Sequence, residues 1–286
     1  MLWQRVLTAA LGLPVFLALA YLGSWFLGLA VLALSLVGLT EWFRLAEGCG
    51  LHPRRWLGHA AAAVLVAIAA AVGQDRAAWG QLTLVAFALL TVLAMADQMA
   101  SRAQPGAIAN AGALLLGLLY LPFLFSFLIR IRLGWPYLVP LVRTDFAVPL
   151  GACWLVMLVL SCWASDTAAY FIGRAWGRRR LCPAISPAKT VEGSVAGLAA
   201  ATVIAGGLGW CFGLPVGYGL GLGVLIGSVG QVGDLSKSII KRQAGVKDSG
   251  AILPGHGGVI DRFDSLLFAA PVAALYLELL VPYFRL

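Results

Sequence analysis

Two stretches of this chain, residues 6–40 and 193–233, contain no lysine, arginine, aspartate or glutamate. At the rise of an α-helix, about 20 apolar residues cross the hydrocarbon core of a bilayer. Each uncharged stretch is therefore long enough for two crossings. Backbone amides in lipid must bond to one another, so runs of this length read as helices. Extending the pattern along the chain predicts nine spans, at about 6–22, 25–40, 57–74, 77–96, 107–129, 146–165, 194–213, 216–233 and 265–283. A tight turn at Gly23-Ser24 separates the first two. Glycines four apart (Gly213, Gly217, Gly221 and Gly219, Gly223, Gly227) predict close helix–helix approach. The expected fold is all-α and polytopic, a single membrane domain over 1–286, with N-terminal helical spans in 1–165 and a catalytic part in 166–286.

Composition agrees. The chain is 61% hydrophobic and 11% charged, with a mean hydropathy of +0.92, which excludes an ordinary soluble domain. Arg5, an apolar stretch and Ala18-Leu19-Ala20 imitate a signal peptide, but a second apolar segment starts at Trp25, so an uncleaved first span is expected. The five cysteines form no CxxC pair and read as packing residues. The formal charge of +8 sits on a chain with no soluble basic domain. Membrane lipids and phosphorylated substrates are the expected partners, and nucleic acid is not.

Basic residues set the orientation. With a cytoplasmic N-terminus, 15 of the 20 lysines and arginines fall on the cytoplasmic side, leaving Arg76, Arg130, Arg132, Arg143 and Arg285 opposite. Both charged loops, 166–192 and 234–264, are then cytoplasmic.

Residues 238–264 depart most from the apolar background. Four basic residues, a histidine and three acids lie within 27 positions. Asp261 and Asp264 are three apart where an apolar helix begins, so they share a face near its positive end. Two adjacent carboxylates repel unless a cation lies between them, and Mg2+ prefers such hard oxygen donors together with substrate phosphates. A capping pair with Arg262 is the structural alternative. Asp234 ends a long apolar run, where an unpartnered carboxylate is costly. A fold-back of the segment from 234 to 261 brings the three acids together. Lys237, Lys241, Arg242 and Lys247 supply cations beside them, either for phosphates or for lipid headgroups. Pro254-Gly-His-Gly-Gly258 reads as a loop whose amides can approach phosphate, with His256 inside it. In the other charged segment, Arg178, Arg179 and Arg180 read as topology determinants. Thr190 is placed to cap the following helix, although Gly193 stands where a capping box has Glu or Gln. Lys189 is placed to reach a phosphate. No GxxxxGK[ST] loop occurs.

The string Ser238-x-Ile-Lys-Arg-x4-Lys-Asp-x-Gly-x2-Leu-Pro-x-His-Gly-Gly-Val-x-Asp-Arg-Phe-Asp264 resembles the signature of the phosphatidate cytidylyltransferases, or CDP-diacylglycerol synthases. Asp166-Thr-Ala-Ala-Tyr170 and Ser186-Pro-x-Lys-Thr-x-Glu-Gly193 resemble the same family. Ala188 and Val191 depart from its pattern, in which lysine and tryptophan are common. The resemblance covers about 166–264. It implies transfer of a cytidylyl group from CTP to phosphatidate, with Mg2+ required, a second monovalent cation associated, and a homodimer in a bacterial inner membrane. It assigns metal binding to Asp234, Asp261 and Asp264. Phosphate contact or acid–base work falls to Lys237, Lys241, Arg242, Lys247, His256 and Arg262, and nucleotide binding to Asp166, Ser186, Lys189, Thr190 and Glu192. Two other readings fit parts of the pattern: a CTP-dependent lipid kinase, and a transporter with an acidic site involving Asp97, Asp166 and Glu278. CDP-alcohol phosphotransferases are disfavoured, since no Asp-Gly dipeptide occurs.

Overall fold

The structure, a computed structural model, describes residues 2–100, 106–141, 147–250 and 257–280. His256 lies outside the described residues. The helices are α1 (Leu2–Leu22), α2 (Ser24–Gly48), α3 (Arg55–Val72), α4 (Arg76–Ala100), α5 (Ala107–Leu118), α6 (Leu124–Leu133), α7 (Leu150–Trp176), α8 (Val191–Cys211), α9 (Val216–Gln243) and α10 (Val259–Leu280). A π-helical turn, Leu119–Phe123, joins α5 to α6 around Pro122, whose missing N–H breaks the regular ladder. The all-α expectation holds, with two small additions. Strand β1 (Leu138–Pro140) pairs antiparallel with β2 (Ala147–Pro149), and β3 (Arg180–Cys182) with β4 (Ser186–Thr190).

Among the described residues, seven helical stretches are long and apolar enough to cross a membrane: Trp25–Gly48, Arg55–Val72, Arg76–Ala100, Ala107–Leu133, Leu150–Trp176, Val191–Cys211 and Val216–Gln243. Gly12–Leu22 is a shorter apolar stretch, and α10 carries Asp261, Arg262, Asp264 and Glu278. Two expected boundaries need correction. Asp166 is not in a loop, because α7 runs on to Trp176 before Gly177 ends it. Lys237, Lys241 and Arg242 are likewise helical, because α9 continues to Gln243 and the chain turns at Gly245, where φ is +69°. Hydropathy marks where a helix meets lipid, whereas its hydrogen bonds continue until a residue breaks them.

The chain forms two compact units, with α9 and α10 contributing to both. The first comprises Met1–Gly134 and Ile240–Arg262. Its interior includes Leu39, Phe43, Leu118, Leu121, Phe125 and Ile129, all fully buried. Here Gly23 turns between α1 and α2 at φ +61°, and Arg132 donates to the carbonyls of Ala20 (2.5 Å) and Tyr21 (2.7 Å), placing a cation on the negative end of α1.

The second unit comprises Trp135–Ile239 and Phe263–Leu286. Its helices α8 and α9 meet through glycine, as the four-residue spacing predicts. A Cβ at Gly223 would lie 2.5 Å from Thr202 Cα, and one at Gly219 2.4 Å from the Ala205 carbonyl oxygen. Within the same unit Gly233 lies against α10, where a Cβ would come within 2.3 Å of the Asp264 carbonyl oxygen. We expect Gly233→Ala to separate α9 from α10 at this point and to cost about 1–3 kcal/mol, read as a lower unfolding midpoint in detergent.

Candidate active site

Four elements of the second unit bring titratable side chains together. Asp166 comes from α7, Lys189 from β4, Asp234 and Lys237 from α9, and Asp264 from α10. Lys237 and Asp234 are neighbours on one helix face, at 3.0 Å. The Lys237 ammonium also lies 2.5 Å from Asp264, which is buried. Lys189 forms an ion pair with the other oxygen of Asp234. Ser265 donates its hydroxyl to Asp166 at 3.1 Å and its amide to Asp264 at 2.8 Å. Three carboxylates thus face two ammonium groups, and the Lys237 charge lies between Asp234 and Asp264.

Local structure explains the placement of Lys189. Its strand is held by the β3–β4 hairpin and passes directly into α8. Thr190 caps α8, its hydroxyl accepting from the Gly193 amide at 3.2 Å, so the expected cap forms without a capping box. Glu192 instead accepts from the backbone amides of Arg178 (3.0 Å) and Arg179 (3.2 Å). It ties the 178–179 backbone to the first turn of α8. Ser186, at the start of β4, is half-buried.

Asp261 falls in the first unit. It forms an ion pair with Lys241 at 2.6 Å and accepts from the Ser249 amide (2.7 Å) and hydroxyl (3.0 Å). Burial alone raises the pKa of such a carboxyl, but the bonds from Lys241 and Ser249 outweigh it and hold Asp261 below the usual aspartate range. Arg242, Lys247 and Arg262 are exposed. The sequence reading missed Glu41, on α2. It is fully buried and accepts from the Ser249 hydroxyl (3.0 Å) and the amides of Val259 (2.9 Å) and Ile260 (3.0 Å). The available signal was a single acid immediately after the uncharged run 6–40, which also describes an ordinary span end.

Asp97, which the transporter reading places in an acidic site, accepts from Arg54 at 2.7 Å. Arg55 pairs with Glu47. These groups line a cavity of about 760 Å³ together with His52 and Trp56 in the first unit. Among the described residues no group of three or more His, Cys, Asp or Glu is placed to hold a metal. Asp234 and Asp264, however, converge on a single positive charge. Two carboxylates of this kind suit Mg2+, which keeps water or phosphate oxygens at its remaining positions.

Fold and site together define a polytopic helical membrane protein with a cluster of acids and lysines. Comparison with known proteins makes the class specific. The sequence profile of the cytidylyltransferase family matches residues 3–280. A phosphatidate cytidylyltransferase of Synechocystis sp. is 35% identical over 300 aligned positions, covering 98% of this chain and 97% of that relative. One from Brucella suis is 48% identical over 139 positions, covering 45% of this chain and 47% of the relative. One from Bacillus subtilis is 44% identical over 131 positions, covering 45% and 49%. The chain belongs to the cytidylyltransferase family.

Proposed function

We infer that this chain is the transferase that moves the cytidylyl group of CTP onto phosphatidate, producing CDP-diacylglycerol and pyrophosphate for phospholipid synthesis. The observation that carries this reading is similarity along 98% of the chain to a relative named for that activity. In the reaction a phosphate oxygen of the lipid attacks the α-phosphorus of CTP. The new P–O bond forms as the bond to the β-phosphate bridging oxygen breaks, and pyrophosphate leaves. The nucleophile is already an anion, so charge neutralisation and alignment are the main tasks.

Asp234, Asp261 and Asp264 are proposed to hold Mg2+. When bound, the ion neutralises charge on the reacting and departing phosphates. Lys189 and Lys237, already beside the carboxylates of the second unit, hold phosphate oxygens and fix their direction. Lys241 keeps Asp261 ionised and oriented, while Arg242, Lys247, His256 and Arg262 supply further contacts to the anionic substrates. Asp166, Ser186, Thr190 and Glu192 shape the nucleotide side, the last two by fixing the strand that bears Lys189. The excess of basic residues on one side supports a cytoplasmic N-terminus and active site, where CTP arrives from water and the acyl chains stay in lipid. The bacterial relatives support an inner-membrane location. The family resemblance is the support for a homodimer.

Purified protein supplied with phosphatidate, Mg2+ and CTP labelled at the α- or the γ-phosphorus tests the reaction. We expect α-label in the lipid and γ-label in pyrophosphate. Lipid that carries γ-label, with CDP released, identifies a kinase instead.

A further inference from the structure

Glu41 belongs to no motif of the sequence, yet Ser249, Val259 and Ile260 of the signature segment all bond to it. A carboxylate on a membrane helix costs on the order of 2.5–3.5 kcal/mol when unpartnered. Glu41 offsets this with three donors: the hydroxyl of Ser249 and two of the unpaired amides at the start of α10. Two glycines make room for it. A Cβ at Gly258 would lie 2.3 Å from Glu41 Oε2 and 2.2 Å from Ser249 Oγ, and a Cβ at Gly250 2.7 Å from Glu41 Oε1.

These contacts do more than cap a helix. Ser249 binds onward to Asp261 through its amide, at 2.7 Å, and its hydroxyl lies 3.0 Å from the same carboxylate oxygen. The hydroxyl has one proton and faces a carboxylate oxygen on each side, at 3.0 Å in both directions. Given to Glu41, that proton fixes Ser249, whose amide then holds one oxygen of Asp261 while Lys241 holds the other. We propose that Glu41 is a positioning residue for the metal-binding carboxylate Asp261, acting through Ser249. This rests on the proposed role of Asp261 in holding Mg2+.

Glutamine at position 41 keeps the size of the side chain but has one acceptor oxygen for three donors. Residues one shell away from a metal ligand commonly change metal affinity 10–100-fold. The readout is the unfolding midpoint in detergent against Mg2+ concentration without substrates, alongside the Mg2+ half-saturation of turnover. We expect Glu41→Gln to raise the Mg2+ concentration needed in both about tenfold, with kcat largely recovered at saturating Mg2+. Ser249→Ala, which leaves both backbone caps on Glu41, is expected to do the same. The double variant should be no worse than either single one, because both act through one contact.

A lower midpoint for Glu41→Gln with unchanged Mg2+ dependence makes it a helix cap only and overturns the proposal. If Glu41→Gln does not fold, Ser249→Ala decides alone, and an unchanged Mg2+ dependence overturns it. Asp261→Asn separates the two levels. If that variant keeps its activity and Mg2+ response, the metal assignment itself fails. If it loses them while Ser249→Ala is silent, only the role of Glu41 falls.

Discussion

Asp264→Asn should abolish turnover while the protein still inserts and unfolds near its normal midpoint. Asparagine preserves the shape of the side chain and an oxygen for the Ser265 amide, which bonds Asp264 at 2.8 Å. It also leaves Lys237 paired with Asp234 at 3.0 Å, so no buried cation is stranded. What disappears is one of the two negative charges facing each other across Lys237. Both substrates are anions, and stabilisation of charge by a metal is worth several kcal/mol in such reactions. A loss of at least about a thousandfold in kcat/KM, or roughly 4 kcal/mol, is therefore expected. Pyrophosphate release by purified enzyme, measured with the unfolding midpoint, checks both halves. An Asp264→Asn enzyme with full activity would refute the assignment of that residue to the metal.

The sequence made the helices legible because lipid imposes a length and a polarity on every span. It did not show where helices end. The apolar run stops at Gly233, yet α9 carries its hydrogen bonds ten residues further to Gln243. Lys237 is thereby fixed beside Asp234 by helix geometry and does not wander in a loop. The signature segment was legible as chemistry through its density of charge. Its division was not: Asp264 joins Asp166, Asp234, Lys189 and Lys237, while Asp261, one turn earlier, joins Lys241 and Ser249. Spacing along a helix says which residues share a face, but not which neighbours from other elements that face will meet. Glu41 was least visible, because its partner Ser249 lies 208 positions away and a lone acid at a span end carries no pattern.

Lys237→Met is expected to move stability and metal response in opposite directions. The side chain is only 13% exposed and lies between two carboxylates. Methionine retains the apolar stem but removes the ammonium, leaving Asp234 and Asp264 to repel each other with less charge between them. Removing one partner from a buried ion pair costs about 3–5 kcal/mol, so without Mg2+ the unfolding midpoint should fall well below that of the parent. Lys189, still paired with Asp234, makes the lower end of that range the better expectation. On the proposed metal assignment, Mg2+ then has no lysine to displace and should bind the two acids more tightly. Because a ligand that binds only the folded state stabilises in proportion to the logarithm of its concentration over Kd, the midpoint of Lys237→Met should rise at lower Mg2+ than that of the parent and recover much of the deficit. Turnover should remain low even at saturating Mg2+, since the cation proposed to align a phosphate is missing. A midpoint that stays low at every Mg2+ concentration means that Asp234 and Asp264 do not share an ion. A midpoint that recovers together with turnover means that Lys237 only balances charge and holds no substrate.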